Sequence, residues 1–199
     1  DQRLLIPALR SLGTTYYYKG QYSHALYAYQ DALQHIKSVS PSQQACVYMS
    51  LAVAHAHMDQ QQDALTYLDL ANDIFPDHPE TDPSFSYAAF DLSEMVLWEG
   101  ITRSRLGQTQ QALDIFNRIV QPANAVSERI RIEIINQQAK TAIFAGDFEQ
   151  GAAYVRTGLM GAKALGSQRR YSEAYENFQQ MRLLWPQEKR VTELGELLQ

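Results

Sequence analysis

The side chains with the greatest potential for chemistry are two histidines, His55 and His57, separated by one residue. On a helix, side chains two positions apart diverge by about 200°, so this pair does not converge on one ion. A zinc site would also need cysteines or a histidine four positions away. We therefore expect no metal site, and we interpret the pair as packed or ligand-facing histidines.

An acidic loop and a single cysteine are the other candidates. Asp77, His78, Glu80 and Asp82 lie in a proline-rich segment without the ligand spacing of an EF-hand calcium loop. Cys46 would be a nucleophile only beside a group that stabilises its thiolate, and no such motif is visible. The sequence also has no glycine-rich phosphate loop and no G-x-S-x-G turn. It predicts no enzyme activity and no cofactor.

The elements that position these residues are predicted by an internal repeat of small and aromatic residues. The best copy consists of Leu9, Leu12, Gly13, Tyr16, Gly20, Tyr22, Ala25 and Tyr29. Weaker copies place their equivalent small residues at Ala64, Ala112, Gly151 and Ala174. Apolar residues three and four positions apart indicate helices, and glycines such as Gly20, Gly107 and Gly146 are typical of helix ends.

This pattern resembles the tetratricopeptide repeat, whose signature is W-x2-L-G-x2-Y followed by A-x3-F and a proline. Leu9 stands at the tryptophan position and Tyr29 at the phenylalanine position. The resemblance implies an all-α fold, a right-handed superhelical solenoid of antiparallel helix pairs. It predicts one domain over residues 1–199, with about four repeats and C-terminal capping helices. The repeats are expected at 4–40, 43–78, 85–122 and 127–165, and the capping helices at 168–198.

The resemblance also carries an expectation about function. Repeats near 40 residues resemble those of bacterial transcriptional regulators, as does the run from Leu165 to Pro186, and in such regulators the repeats follow a helix-turn-helix domain. The resemblance implies a peptide- or protein-binding module, the ligand-sensing domain of a regulator. The alternative is a structural interaction scaffold, which could form a homodimer. The chain begins at Asp1, without methionine, and we expect it to be a fragment of a longer protein.

In the tetratricopeptide family, the inward faces of the first helices line a concave groove that binds the ligand. By register, the resemblance places six ligand-binding residues on this face: Arg10, Tyr17, His57, Arg105, Asn136 and Lys140. An asparagine can pair with a peptide backbone as both donor and acceptor. Hairpin packing for Tyr17, and a solvated helix face for Asn136 and Lys140, remain alternatives.

Charge is distributed unevenly along the 199 residues. Between residues 38 and 102 there is no lysine or arginine, but there are ten acidic residues. Because binding to a nucleic-acid backbone requires clustered lysines and arginines, we expect no direct nucleic-acid binding by this fragment. The most apolar stretch, 45–58, is shorter than the roughly 20 residues of a membrane span. Together with the single cysteine, this favours a cytoplasmic location.

Overall fold

The computed structural model of the chain describes residues 2–88, 90–120 and 126–196. Within these ranges every regular element is a helix, which confirms the all-α prediction. The chain divides into two compact units, Asp1–Gln108 and Thr109–Gln199. None of the described helices combines the length and the apolar character needed to cross a membrane.

The first unit contains two helical hairpins and a further long helix. Its helices are α1 (Gln2–Tyr18), α2 (Tyr22–Gln34), α3 (Pro41–His57), α4 (Gln61–Ile74), α5 (Phe85–Ala88) and α6 (Leu92–Arg105). Helix α1 packs on α2 and α3 packs on α4, while α3 also contacts α1, α2 and α6. Because α3 is surrounded, its residues from Leu51 to Ala56 are all buried. An almost continuous run of apolar residues on α3 suits this central place.

Close approach within the first hairpin depends on Gly13. A Cβ atom at this position would lie 2.3 Å from Cε1 of Tyr29, so the tyrosine ring lies directly on the backbone of α1. Tyr29 is fully buried there, and Ala25, one turn earlier on α2, is also buried. The small residue predicted at position 13 thus makes room for a large ring.

The turns that end the first helix of each hairpin adopt the left-handed conformation. Gly20, between α1 and α2, has a φ of 71°, as expected for a glycine that follows a helix. The turn between α3 and α4 places Asp59 at the same point, with a φ of 57°. An acidic residue therefore occupies a position where the sequence pattern predicts glycine.

The second unit consists of α7 (Thr109–Val120), α8 (Glu128–Phe144), α9 (Phe148–Leu165), α10 (Gln168–Leu184) and α11 (Lys189–Glu196). Helix α8 contacts α7, α9 and α10, and α11 packs on α9 and α10. Apolar side chains of α8 to α11 form a core that includes Val155, Leu159, Phe178 and Met181, and Ile132, Ile135 and Ala162 form a second, smaller cluster. The end of the third predicted repeat at Pro122, and Leu197 and Leu198 of the predicted capping segment, lie outside the described residues.

Candidate binding surface

Five rings from four helices meet in the first unit, and we call them the aromatic cluster: Tyr17, Tyr18, Tyr22, His57 and Trp98. Tyr17 is at the centre, with its ring centroid 5.2 Å from that of His57 and 5.1 Å from that of Trp98. These contacts are edge-to-face, the arrangement that the aromatic quadrupole favours. Tyr22 and His57 are stacked, with centroids 4.2 Å apart.

The helices supply these rings mostly from their ends. Tyr17 and Tyr18 close α1, Tyr22 begins α2, and His57 is the last residue of α3. Trp98 comes from the middle of α6 and reaches the others because α6 packs against α3. Since α1 and α6 both contact α3, their side chains meet over its C-terminal end.

Polar groups at the edges of the cluster are paired. The Tyr17 hydroxyl lies 3.1 Å from Nε2 of His57, and Nε1 of Trp98 donates a hydrogen bond of 2.9 Å to Oε2 of Glu94. Trp98 is 7% exposed, whereas Tyr18 is 46% exposed. The cluster therefore has a buried base and an accessible rim, a combination typical of recognition surfaces.

Arg10 lies near the same surface, but its guanidinium group makes its contacts in the interior of the unit. Its Nη1 donates to Sγ of Cys46, and its guanidinium lies 5.7 Å from the ring centroid of Phe90. Cys46 and, more weakly, Glu94 raise the pKa of Arg10 against the lowering effect of burial. Burial raises the pKa of Cys46 to about 11, although Arg10 acts to lower it. The thiol is therefore protonated at neutral pH, which agrees with an unreactive cysteine.

Arg105 lies on the last turn of α6. Its Nη2 is 3.2 Å from Oδ1 of Asp59, in the turn that follows His57. Four of the six predicted ligand-binding residues thus belong to the first unit. Tyr17 and His57 contact each other directly, and Arg105 pairs with Asp59, two residues after His57. Arg10 contacts Cys46 and Phe90 instead.

Asn136 and Lys140 belong to the second unit, and only Lys140 is exposed. Asn136 is 2% exposed, and its Nδ2 donates to the backbone oxygen of Arg170 at 2.9 Å. Its side chain also fills the space beside Gly158, where a Cβ atom would lie 2.3 Å from Oδ1. Because α10 covers this face of α8, Asn136 joins two helices instead of lining an open surface.

A buried ion-pair network surrounds Asn136. Arg170 is 2% exposed, its Nη1 donates to both oxygens of Glu173 at 2.8 and 2.7 Å, and its Nη2 donates to Glu133. Asn177 donates to the backbone oxygen of Asn136. Sequence reasoning missed this network because Glu133 and Arg170 are 37 residues apart. The available signal was an acidic residue in the middle of the isoleucine-rich start of α8.

The two histidines at the C-terminal end of α3 face different partners. Nδ1 of His55 is 2.7 Å from Oε1 of Gln60, and its ring is stacked on Tyr67. His57 faces Tyr17 and Tyr22 instead. In the part of the chain that the structure describes, no three His, Cys, Asp or Glu side chains come together as metal ligands.

The first unit thus consists of helices, most of them in hairpins, that carry a partly exposed aromatic cluster. A family model described as an uncharacterized protein conserved in bacteria (DUF2225) matches residues 8–142. The match spans more than half of the chain, and the chain belongs to this family. The matched residues include the whole aromatic cluster. A comparison with curated proteins found no match.

Proposed function

We propose that this chain is a peptide- or protein-binding helical-repeat module, and that the aromatic cluster is the centre of its binding surface. The observation that carries the proposal is the convergence of Tyr17, His57 and Trp98 from α1, α3 and α6. Aromatic side chains of this kind are enriched at the energetic centres of protein interfaces.

We also propose that the hairpins are arranged as in tetratricopeptide repeats. The antiparallel pairs α1–α2, α3–α4 and α8–α9, and the contacts of α3 with α1 and α6, support it. In such an arrangement the first helices lie side by side, because a single hairpin cannot cover its own apolar face. Residues on these helices can then contact one extended ligand.

We further propose that this module is the sensing domain of a bacterial transcriptional regulator. Two observations support it: the spacing of about 40 residues between repeats and the membership of a bacterial family. The coding sequence upstream of residue 1 provides the test. A helix-turn-helix domain there would support a regulator, whereas a trafficking or ATPase domain would contradict it.

A scaffold that self-associates is the second candidate, and an apolar stripe on α1 favours it. Leu4, Leu5 and Leu12 are 60%, 38% and 46% exposed, and Leu4 and Leu12 lie two turns apart on one side of the helix. Sedimentation of the wild type and of Leu4→Glu/Leu12→Glu tests this candidate. A dimer that the substitutions dissociate would support it, and a wild-type monomer at high concentration would eliminate it.

The binding function itself can be tested with a library of random peptides. Random dodecapeptides displayed on phage are selected on the wild type, and the selected peptides are titrated by calorimetry. We expect Tyr18→Ala to weaken binding, whereas Tyr27→Ala should not. Tyr27 is a suitable control because it is 71% exposed on α2 and makes no ring contact among the described residues. Equal affinity for both variants would contradict the proposed surface.

A further inference from the structure

We propose that the aromatic cluster binds a basic side chain, lysine or arginine, of its peptide or protein ligand. This inference rests on the proposed binding function and specifies the chemical class of the ligand. It combines two independent observations, the stacking of the rings and the charge of the unit that carries them.

The rings provide the contact surface for a cation. The faces of tyrosine and tryptophan rings are electron-rich, and tryptophan attracts cations most strongly. Trp98 donates its N–H to Glu94, which increases the electron density of the indole. The ring of Tyr18 lies 6.1 Å from that of Trp98 and is 46% exposed, so a flexible side chain can approach it.

Two arginines near the cluster, Arg10 and Arg105, are already engaged with groups of the protein. Arg10 lies between Cys46, Phe90 and Glu94, with its guanidinium turned into the unit. Arg105 forms an ion pair with Asp59. Because Arg10 is directed towards Cys46 and Phe90 and Arg105 is paired with Asp59, neither guanidinium group offers an open positive site for an acidic ligand. This separates the cluster from a clamp for a peptide C-terminal carboxylate.

The charge of the first unit favours a cation over longer distances. Residues 1–108 contain six lysines or arginines and twelve aspartates or glutamates, whereas residues 109–199 contain eleven and ten. A surplus of six negative charges attracts basic ligands and repels acidic ones. The rings alone would accept any flat or apolar group, so the charge is what selects lysine or arginine.

Three peptides of equal length distinguish charge from ring stacking: hexa-arginine, hexa-citrulline and hexa-glutamate amides. Citrulline has nearly the shape of arginine without its charge.

The chain has two tryptophans, so Trp185→Phe leaves Trp98 as the single tryptophan fluorophore. Trp185 packs against Phe148 in the second unit, and phenylalanine preserves an aromatic ring in that contact. The fluorescence of Trp98 is then followed during each titration.

We expect hexa-arginine to change the Trp98 fluorescence saturably, with an affinity at least about tenfold higher than that of hexa-citrulline. Hexa-glutamate should cause no change. Tyr18→Ala should weaken the binding of hexa-arginine about two- to fivefold, the usual range for an exposed cation–π contact. Tyr27→Ala should leave the affinity unchanged. Circular dichroism of each variant verifies that the helices are retained.

Different failures have different meanings. Equal affinities for arginine and citrulline peptides would overturn the inference but leave the binding function intact. Arginine binding that Tyr18→Ala does not affect would also overturn it, because the acidic field alone would then hold the peptide. If hexa-arginine fails to bind while phage-selected peptides bind at Tyr18, the ligand class is wrong. If the selected peptides also fail to bind, the proposed binding function is wrong as well.

Discussion

The hydroxyl of Tyr17 lies 3.1 Å from Nε2 of His57, a residue 40 positions later in the chain. This contact joins the last turn of α1 to the last turn of α3, and it lies at the centre of the aromatic cluster. It shows how two helices that are distant in the sequence present one surface, and it can be removed without removing either ring.

Tyr17→Phe deletes only that hydroxyl. We expect the free energy of unfolding to fall by about 0.5–1.5 kcal/mol, because His57 loses a polar partner within a partly buried cluster. Urea denaturation followed by circular dichroism measures the change, and Tyr27→Phe on the exposed side of α2 is the matched control. A Tyr17→Phe variant as stable as Tyr27→Phe would show that this hydrogen bond contributes nothing.

Gly13→Ala tests the close packing of the first hairpin. The added methyl group would lie 2.3 Å from Cε1 of Tyr29, so α1 and α2 must move apart or the ring must shift. Overpacking of this kind costs about 1–3 kcal/mol, although alanine normally favours a helix over glycine. Ser11→Ala, at an exposed position two residues earlier, is the control and should change stability little. A gain in stability for Gly13→Ala would contradict the observed packing.

Asp82 should make the stability of the first unit depend on pH in the acidic range. Burial acts to raise its pKa, but hydrogen bonds from Ser84, with smaller contributions from Ser40 and Ser42, together outweigh burial and lower the pKa below the usual value. Because the pKa is lower in the folded state, the carboxylate stabilises the fold above a pH of about 4. This contribution disappears as the pH falls through the lower folded value.

Asp82→Asn should therefore be less stable than the wild type by a constant amount from about pH 5 to 7, and the difference should shrink below about pH 4. Urea denaturation across this range and down to about pH 3 measures it. Asp73→Asn, at an exposed position on α4, is the control and should show no such convergence. Parallel curves for the wild type and Asp82→Asn over the whole range would mean that the aspartate does not gain from its serine partners.

Arg170→Met tests the buried network of the second unit. Its removal leaves Glu133, which is 6% exposed, without its buried cationic partner, and breaking such a pair costs about 3–5 kcal/mol. The double variant Arg170→Met/Glu133→Leu should recover much of that loss, since two apolar residues need no partner. Thermal denaturation of the single and double variants provides the comparison. A single variant as stable as the wild type would show that the pair is not closed in solution.

The parts of the fold that depend on local sequence could be predicted. Helix periodicity and the glycine after α1 are local signals, and both the helices and the turn at Gly20 are found where the pattern places them. Tyr17 and His57 were chosen from the register of their helices, and they do contact each other.

What could not be predicted depends on packing between distant segments. Asn136 has the register of a residue that lines the groove, but α10 covers it, and nothing near position 136 reports the position of α10. Trp98 was not among the six residues that the sequence predicted for the binding face. Its four-residue spacing from Glu94, with which it forms a hydrogen bond, was the signal that could have identified it.

Ligands are proposed to bind over the aromatic cluster of α1, α2, α3 and α6, and the indole N–H signals of the two tryptophans test this site. Trp98 lies in the cluster and Trp185 lies in the second unit beside Phe148, so one spectrum of the ¹⁵N-labelled chain contains both site and control. During titration with a phage-selected peptide, we expect the Trp98 signal to shift saturably while the Trp185 signal stays in place. A peptide that binds by calorimetry but shifts only the Trp185 signal, or neither signal, would contradict binding at the aromatic cluster.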